Sequence, residues 1–343
     1  MPKQLMHNEK ILAFFFFFSL AGIFLISLCI GRYPVPFSHA AGIIASKFFS
    51  IRQFWAEEEE AVILFLRLPR ILLGLLIGAG LGISGAAFQG IFRNPLVSPH
   101  ILGVAAGAGF GGILAMLVSN NSFLVMVSAF AFGIVSISLT SIVGRVRKTS
   151  HPLALVLSGI VVGAFFTALI SLLKFVADPV DRLPSIVFWL MGNLAGASFA
   201  KFSIVSVPIL VAMTLLVLLR WRINILSLGD EEARTLGTNP EKLRWLIILC
   251  VTVIVALSVS VSGIIGWVGL VIPHIARFAA GANHRILLPL SAYMGAGYLV
   301  IMDDIARSLT PAEIPLGILT AIIGAVVFAA VLKHAFQKNT YGN

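Results

Sequence analysis

The charged side chains best placed for specific chemistry are three arginines. Arg67 and Arg70 flank Pro69 in the segment RLPR, where a long apolar stretch begins, and Arg307 follows another apolar stretch. A guanidinium group can bind a carboxylate through two parallel hydrogen bonds, so these arginines could receive acidic groups of a partner protein. Arginines at the ends of apolar segments also reach toward lipid headgroups, and the sequence alone leaves both interpretations open.

A polar segment over residues 227–245, SLGDEEARTLGTNPEKLRW, carries the start and stop signals of a short helix. Ser227 or Asp230 can cap its beginning, and the acidic residues that follow are favourable at the positive end of a helix. Gly237 can end the helix in a left-handed conformation.

A second helix start follows at once, because Thr238 or Asn239 can act as its cap and Pro240 occupies its first position. The two helices would present Ala233 and Leu236 on one face, three residues apart. This pattern favours a preformed docking element over the alternative, an ordinary solvated loop.

Motifs for nucleotide binding and common hydrolytic chemistry are absent from the sequence. It contains no G-x-x-x-x-G-K-[ST], no H-E-x-x-H and no G-x-S-x-G, and its seven histidines show no metal-ligand spacing. The apolar stretches hold few ionisable residues, with Lys174, Asp303 and Asp304 near their ends. We therefore expect no catalytic residue, metal site or cofactor in this chain. If it moves a solute uphill, the energy must come from elsewhere.

Composition identifies an integral membrane protein. Hydrophobic residues make up 59% of the 343 residues, charged residues make up 11%, and the mean hydropathy is +1.03. A soluble chain of this size could not bury that apolar excess. The net charge of +10 comes from short basic clusters between apolar stretches, which indicates membrane topology rather than nucleic-acid binding.

The hydropathy pattern predicts an all-α polytopic membrane protein, formed as one domain over residues 1–343. Ten apolar stretches are each long enough, or nearly so, to cross a bilayer core of about 30 Å. They cover residues 11–31, 66–88, 96–118, 123–143, 152–175, 202–220, 245–263, 266–280, 286–303 and 315–333.

The charge distribution predicts that both termini are cytoplasmic. With the N-terminus inside, 15 of the 24 basic residues and five of the 14 acidic residues fall in the inner segments. The outer segments then hold nine of each. An excess of Lys and Arg is typical of cytoplasmic loops.

Two patterns predict how the spans pack. Glycines recur every fourth residue in two spans, and such small faces favour close helix packing in membranes: Gly74, Gly78, Gly82, Gly103, Gly107 and Gly111. The segments LVSPHILGVAAGAG (96–109) and LVIPHIARFAAGAN (270–283) agree at nine of 14 positions. They lie five spans apart, which predicts an inverted internal repeat.

Several segments together resemble the FecCD-type permeases, the membrane subunits of ABC importers for ferric siderophores, haem, cobalamin and molybdate. The resemblance covers residues 67–335 and rests on RLPRILLGLLIGAGLGISGAAFQGIFRNPLVSPHILGVAAGAG, SLGDEEARTLG, GWVGLVIPHIARF, HRILLPLSA and AEIPLGILTAIIGA. It implies a homodimer in a bacterial inner membrane with a pathway along the dimer axis. Two cytoplasmic ATPase subunits, which bind ATP and Mg²⁺, and an external substrate-binding protein would complete the importer.

The resemblance also assigns expected roles to residues. Arg67, Arg70 and Arg307 match arginines that meet glutamates of the binding protein. Residues 227–244 match the cytoplasmic coupling helices that fit a cleft of the ATPase, which implicates Leu228, Gly229, Glu231, Glu232, Ala233, Leu236 and Gly237.

One departure from the family concerns the cytoplasmic gate. In the cobalamin-importer relative, small hydroxyl residues at the inner start of the fifth span form this gate. The matching positions here are Pro152 and Leu153, preceded by Thr149, Ser150 and His151. An apolar constriction is therefore expected.

The expected function is import of a metal chelate or a small metal-containing anion as a permease subunit. The sequence does not identify the cargo. An ion-coupled carrier or channel that works without an ATPase is the alternative, and a membrane-embedded enzyme lacks a catalytic constellation in the sequence.

Overall fold

The computed structural model describes residues 18–144 and 152–340, and within these ranges the chain is helical with no β-strand. This confirms the predicted all-α fold. The helices are α1 (Phe18–Cys29), α2 (Phe37–Ser46), α3 (Glu57–Ala61), α4 (Leu68–Ile91), α5 (Val104–Val118), α6 (Ser122–Val143), α7 (Pro152–Val176), α8 (Leu183–Leu190), α9 (Phe199–Leu218), α10 (Arg220–Leu228), α11 (Asp230–Thr235), α12 (Pro240–Ser262), α13 (Val268–Ala280), α14 (His284–Ser308) and α15 (Leu316–Thr340). A π-helical segment (Val62–Arg67) joins α3 to α4.

Each predicted span overlaps, within the described residues, with one of the helices α1, α4, α5, α6, α7, α9, α12, α13, α14 and α15. Among the described residues, six helical stretches are long and apolar enough to cross a membrane: Glu57–Ile91, Ser122–Val143, Pro152–Val176, Phe199–Leu218, Pro240–Ser262 and His284–Ser308. The others are shorter. The 13 residues of α13, for example, rise only about 20 Å.

Helix α4 is the centre of the bundle. It packs against α9, α10, α12, α13 and α14, and it is buried on all sides because its sequence is apolar around the whole circumference. Helices α6, α7 and α9 instead bury one face each and leave the other exposed. Those exposed apolar faces are the ones available to lipid or to another chain.

Two glycines set the close contact between α4 and α14. A side chain at Gly78 would collide with the carbonyl oxygen of Gly295, and one at Gly82 with that of Ser291. Gly74, one turn away, is in ordinary contact with Val300. The helix backbones can therefore approach each other closely here, which is how membrane helices gain packing energy.

The second glycine series lies between α5 and α6, with one exception. Side chains at Gly107 and Gly111 would collide with residues of α6, including Phe132. Gly103 precedes α5, however, and has a φ of 79° as the residue that caps this helix. Its role is to adopt a left-handed conformation that side chains disfavour.

The predicted third span is helical only in its second half, because residues 94–103 form turns. Pro95 and Pro99 lie in this segment, and each proline disfavours a helical conformation at the residue before it. The similar segment 270–283 is helical through Ala280. The two copies of the motif thus differ in local backbone structure, and the inverted repeat stays a prediction.

The helix that carries Arg67 starts earlier than the sequence indicated, at Glu57. Pro69 has no N–H group and cannot donate the α-helical hydrogen bond to the carbonyl of Phe65. The preceding turns, Val62–Arg67, are π-helical. Arg67 is the last residue of this segment, and its side chain is buried.

We predict that Gly78→Ala and Gly82→Ala each lower the free energy of unfolding by about 1–3 kcal/mol, since the added methyl group overpacks a contact made by backbone atoms. Thermal unfolding in detergent measures the effect. Gly22→Ala is the matched control, because a methyl group at this position in α1 meets no described atom within 4 Å. Equal stability of all three variants would contradict the assigned α4–α14 contact.

Candidate functional site

The two ends of the bundle carry its polar residues, and we name them by their contents. The arginine end holds Arg67, Arg70 and Arg307, at the beginning of α4 and the end of α14. The α11 end holds the opposite terminus of α4, Ile91, where α4 packs against α10. The 24 residues of α4 separate the two ends by about 36 Å.

At the arginine end, Arg70 joins α4 to α14 through Asp303. The Arg70 Nε and Nη2 atoms donate to the two carboxylate oxygens at 2.8 Å each, and Nη1 donates to Glu313 Oε1 at 3.0 Å. The side chains of Arg70 and Asp303 are 10% and 3% exposed. A bidentate pair of this kind is strong and directional, and both charges are compensated inside the chain.

The two other arginines tie α1 to the same region. Arg307 forms an ion pair with Asp304 and donates to Ser27, whose carbonyl oxygen is 2.6 Å away. Arg67 donates to the carbonyl oxygens of Leu28, at 2.5 Å, and Tyr33. With Asp303 and Glu313 included, three positive charges meet three negative charges, so the cluster is neutral. Neutral pairing is the arrangement that the edge of an apolar bundle requires.

The three arginines are therefore not free donors at the surface. Arg67, Arg70 and Arg307 are only 4%, 8% and 5% exposed and are bound by groups of their own chain. They nevertheless converge on a cavity of about 250 Å³, whose lining also includes Glu313. Docking of a binding protein at these arginines stays a prediction, and this cavity gives a point of access to them.

At the α11 end, the backbone follows the signals read from the sequence. Gly237 has a φ of 73° just after α11, and the Asn239 side chain accepts the N–H of Lys242 at 3.0 Å to cap α12. Pro240 begins α12. The residue that precedes α11 is Gly229, without a side-chain cap, so neither Ser227 nor Asp230 caps that helix.

The predicted coupling residues do not all face outward. Leu228 and Leu236 are 64% and 59% exposed, and Glu231, Glu232 and Gly237 are exposed as well. Ala233 is fully buried in the core, and Gly229 is buried where α10 meets α11. The expectation that Ala233 shares an exposed face with Leu236 is therefore wrong. Because α11 packs against α12, Ala233 faces the core. The solvent-exposed face of α11 is acidic, and Leu236 lies beside it.

Hydrogen bonds connect this element to the long helices. The Asp230 carboxylate accepts from Arg244 of α12 at 2.7 Å. Asn224 of α10 donates to Asn283 and accepts the backbone N–H of His284, each at 2.8 Å, at the beginning of α14. A displacement of α10 and α11 would therefore act directly on α12 and α14.

The predicted gate lies only partly within the described residues. Thr149, Ser150 and His151 fall outside them. Pro152 begins α7 and is half-buried, and the side chain of Leu153 is largely exposed. An apolar gate at Pro152 and Leu153 stays a prediction.

Metal binding finds no support in the described ranges 18–144 and 152–340, where His, Cys, Asp and Glu form no group of three that could hold an ion. The residues that sequence reasoning missed are the acidic partners. Asp303 and Asp304 precede Arg307 by four and three residues, so each can meet it on one side of a helix, which could have indicated their pairing. Glu313 and the Asp230–Arg244 pair had no such signal.

The fold and its two polar ends define an α-helical membrane permease. The chain belongs to the FecCD transport family, whose family model matches residues 19–334. This confirms the resemblance seen in the sequence. The chain is accordingly the permease subunit of an ABC importer, a multi-pass membrane protein that transports rather than catalyses.

Individual relatives extend this assignment. The molybdate import system permease protein MolB of Haemophilus influenzae is 43% identical over 307 residues, which cover 90% of each chain. A protein of Helicobacter pylori named a probable iron chelatin transport system permease is 44% identical over 271 residues, 79% of this chain and 82% of that protein. A solved structure described as an inward-facing, metal-chelate type ABC transporter superposes with a TM-score of 0.85 and 42% identity, covering 95% of this chain and 99% of the other.

We predict that Asp303→Asn lowers the free energy of unfolding by about 3–5 kcal/mol, because it leaves the buried guanidinium of Arg70 without its charged partner. Thermal unfolding in detergent measures the change. Glu58→Gln removes an exposed carboxylate near the same end and serves as the control. If both variants unfold at the same temperature, the Arg70–Asp303 pair does not hold α4 to α14.

Proposed function

We propose that this permease imports a small metal oxyanion of the molybdate type. The observation that carries this proposal is the similarity to the molybdate permease of Haemophilus influenzae, which extends over 90% of both chains. A ferric chelate is the second candidate cargo, since the Helicobacter pylori relative named for iron chelatin is equally similar over a shorter region.

The working assembly would contain two copies of this chain, two ATPase subunits and an external binding protein. The exposed apolar face of α7, which includes Val161 and Phe165, supports a contact with a second copy as well as with lipid. The bias of basic residues toward the α11 end supports a cytoplasmic location for that end and for both termini. ATP and Mg²⁺ would bind to the ATPase chains.

The ATPase would contact α11 through its exposed acidic turn and leucine. Leu236 offers an apolar anchor of the kind that fills a pocket in a partner, and Glu231 and Glu232 surround it with charge. ATP-driven closure of the ATPases would then displace α11. The Asp230–Arg244 ion pair and the bonds from Asn224 would pass this displacement to α12 and α14, which gives alternating access.

The binding protein would dock at the arginine end. The cavity lined by Arg67, Arg70 and Arg307 is large enough for an acidic side chain. Within it, Glu313 already accepts a hydrogen bond from the guanidinium of Arg70. An incoming carboxylate would compete with Glu313 for the Nη1 atom of Arg70. Docking would therefore exchange the carboxylate of Glu313 for one of the binding protein, so the positive charge of Arg70 would stay compensated throughout.

The cargo is tested on the cognate binding protein and the assembled importer. Calorimetric titration with molybdate, tungstate, sulfate and ferric siderophores identifies the ligand, and uptake of labelled molybdate into proteoliposomes with ATP measures transport. Tight molybdate binding and ATP-dependent uptake are expected. Selective binding of a ferric siderophore, without a response to molybdate, would replace the oxyanion with the chelate.

We predict that Leu236→Asp weakens association with the ATPase at least tenfold, because it places a charge in an apolar pocket of the partner. Copurification and the ATP turnover of the assembled complex measure the effect. Leu309→Asp, which changes a similarly exposed leucine at the arginine end, is the control. The thermal stability of the free permease should not change in either variant. If both variants assemble normally, α11 is not the ATPase contact.

We predict that Glu313→Gln tightens docking of the binding protein roughly three- to tenfold, a gain of about 1 kcal/mol, since a neutral amide competes less strongly than a carboxylate for the Nη1 donor of Arg70. Surface plasmon resonance with the permease in nanodiscs measures the affinity, and Glu58→Gln is the control. Arg70→Gln should weaken docking. Unchanged affinity in both position-70 and position-313 variants would assign this cluster a purely structural role.

A further inference from the structure

A second cavity lies at the arginine end, and it shares no lining residue with the cavity of the three arginines. It occupies about 490 Å³ between the end of α5, the beginnings of α6 and α9, the short helix α8 and the end of α12. The cavity lies far from the α11 end, because its lining includes Ser260 on the last turn of α12. Its volume is many times the ~30 Å³ that one water molecule takes in the liquid.

Two cationic side chains line this cavity. The Lys201 Nζ atom donates to the carbonyl oxygen of Gly196 at 2.8 Å, which leaves two of its N–H groups for other acceptors. Arg182 donates from Nη1 to the carbonyl oxygen of Met116 at 3.0 Å, and also to the side chain of Asn120. Neither cation has a carboxylate partner among the described residues, in contrast to Arg70 and its neighbours.

One acidic residue, Asp181, also lines the cavity, so the net charge is positive by one. The turn before it is fixed by Asp178, whose carboxylate accepts the N–H groups of Val180 at 2.9 Å and Asp181 at 2.8 Å. These bonds favour the charged carboxylate and hold the pKa of Asp178 below its usual range. The turn thereby holds Asp181 and Arg182 at the beginning of α8.

Residues from the first turns of three helices line the same cavity. Ser122 begins α6, Ser185 lies in the first turn of α8, and Lys201 lies in the first turn of α9, and all three line the cavity. The positive ends of these helices add to the field of the two cations and favour an anion. Small polar groups complete the lining, with hydroxyls of Ser119 and Ser260 among them.

This lining fits a small anion better than a large chelate. Pockets for drug-sized organic ligands are lined mainly by apolar and aromatic side chains with a few polar groups. Here Trp189 is the one aromatic residue in the lining, and hydroxyl, amide and cationic groups predominate. Hydroxyl, amide and ammonium donors around a net positive charge are the chemistry that recognises a tetrahedral oxyanion.

We propose that the cavity between α5, α6, α8, α9 and α12 binds a small tetrahedral oxyanion of the molybdate type, with Lys201 and Arg182 as its charged contacts. The inference deepens the proposed function and rests on it for the cargo class. The site would hold the anion at the arginine end, apart from the point where the binding protein docks. It is a binding site only, with no chemical step.

Fluorescence of Trp189 tests the site directly on the detergent-solubilised permease, without ATPase or binding protein. Molybdate, tungstate and sulfate are titrated at constant ionic strength against chloride, and Trp189→Phe identifies the share of the signal that comes from the cavity. We expect a saturable response to the tetrahedral anions. A response to all salts alike, or none in the unchanged protein, overturns the inference.

Variants assign the response to the cations. The Kd for molybdate should rise at least tenfold in Lys201→Gln and in the double variant Lys201→Gln/Arg182→Gln. Lys201→Arg, which keeps the positive charge, should retain part of the affinity. Lys174→Gln, a basic residue of α7 that does not line the cavity, should change the Kd less than twofold. Thermal unfolding checks that the single and double variants are folded, which matters most for the double variant because Arg182 also donates to the carbonyl oxygen of Met116 in α5. Equal Kd values in folded Lys201→Gln and Lys174→Gln overturn the assignment.

Two further measurements distinguish free oxyanions from lipid phosphates as the ligand, and failure of the cavity proposal from failure of the proposed cargo. Nanodiscs with and without phosphatidylglycerol distinguish free oxyanions from lipid phosphates, and loss of the molybdate response in anionic nanodiscs assigns the site to lipid and overturns the inference. Molybdate uptake by the assembled importer is measured in parallel. Uptake that persists unchanged in Lys201→Gln, with no binding to the free permease, refutes the cavity but leaves the proposed function. Binding without uptake supports the cavity and refutes the proposed cargo.

Discussion

The close contact between α4 and α14 is the interaction on which the rest of the structure depends. Gly78 and Gly82 let the two backbones meet in the middle of the bundle, and Arg70 and Asp303 lock them together at one end. Lipid gives helices no hydrophobic reason to associate, so both the fit and the ion pair are needed. Helices α9, α10, α12 and α13 then pack around α4.

This central pair also links the two polar ends of the permease. The beginning of α14 is bonded to α10 through Asn224, and α12 is bonded to α11 through Asp230, while the end of α14 carries the partners of the arginines. Under the proposed function, a displacement at α11 would have to reach the arginine end. Helix α14 provides a physical route, because side-chain bonds hold both its beginning and its end to neighbouring helices.

Local signals in the sequence predicted much of the fold. The apolar stretches located the spans, and Gly237, Asn239 and Pro240 marked the end of α11 and the start of α12, because these signals depend on neighbouring residues alone. What the sequence could not supply were contacts between distant residues. The burial of Ala233, the acidic partners of the arginines and the cavity around Lys201 all arise from segments far apart in the chain.

The separation of Arg70 from Asp303 by 233 residues has a consequence for biogenesis. A ribosome adds about 5–20 residues per second, so the arginine waits on the order of tens of seconds before its partner is synthesised. During that interval the guanidinium of Arg70 lies at the membrane surface without the carboxylate of Asp303. The second span therefore reaches its final packed position late, after the ninth span has been synthesised and has supplied the counterion.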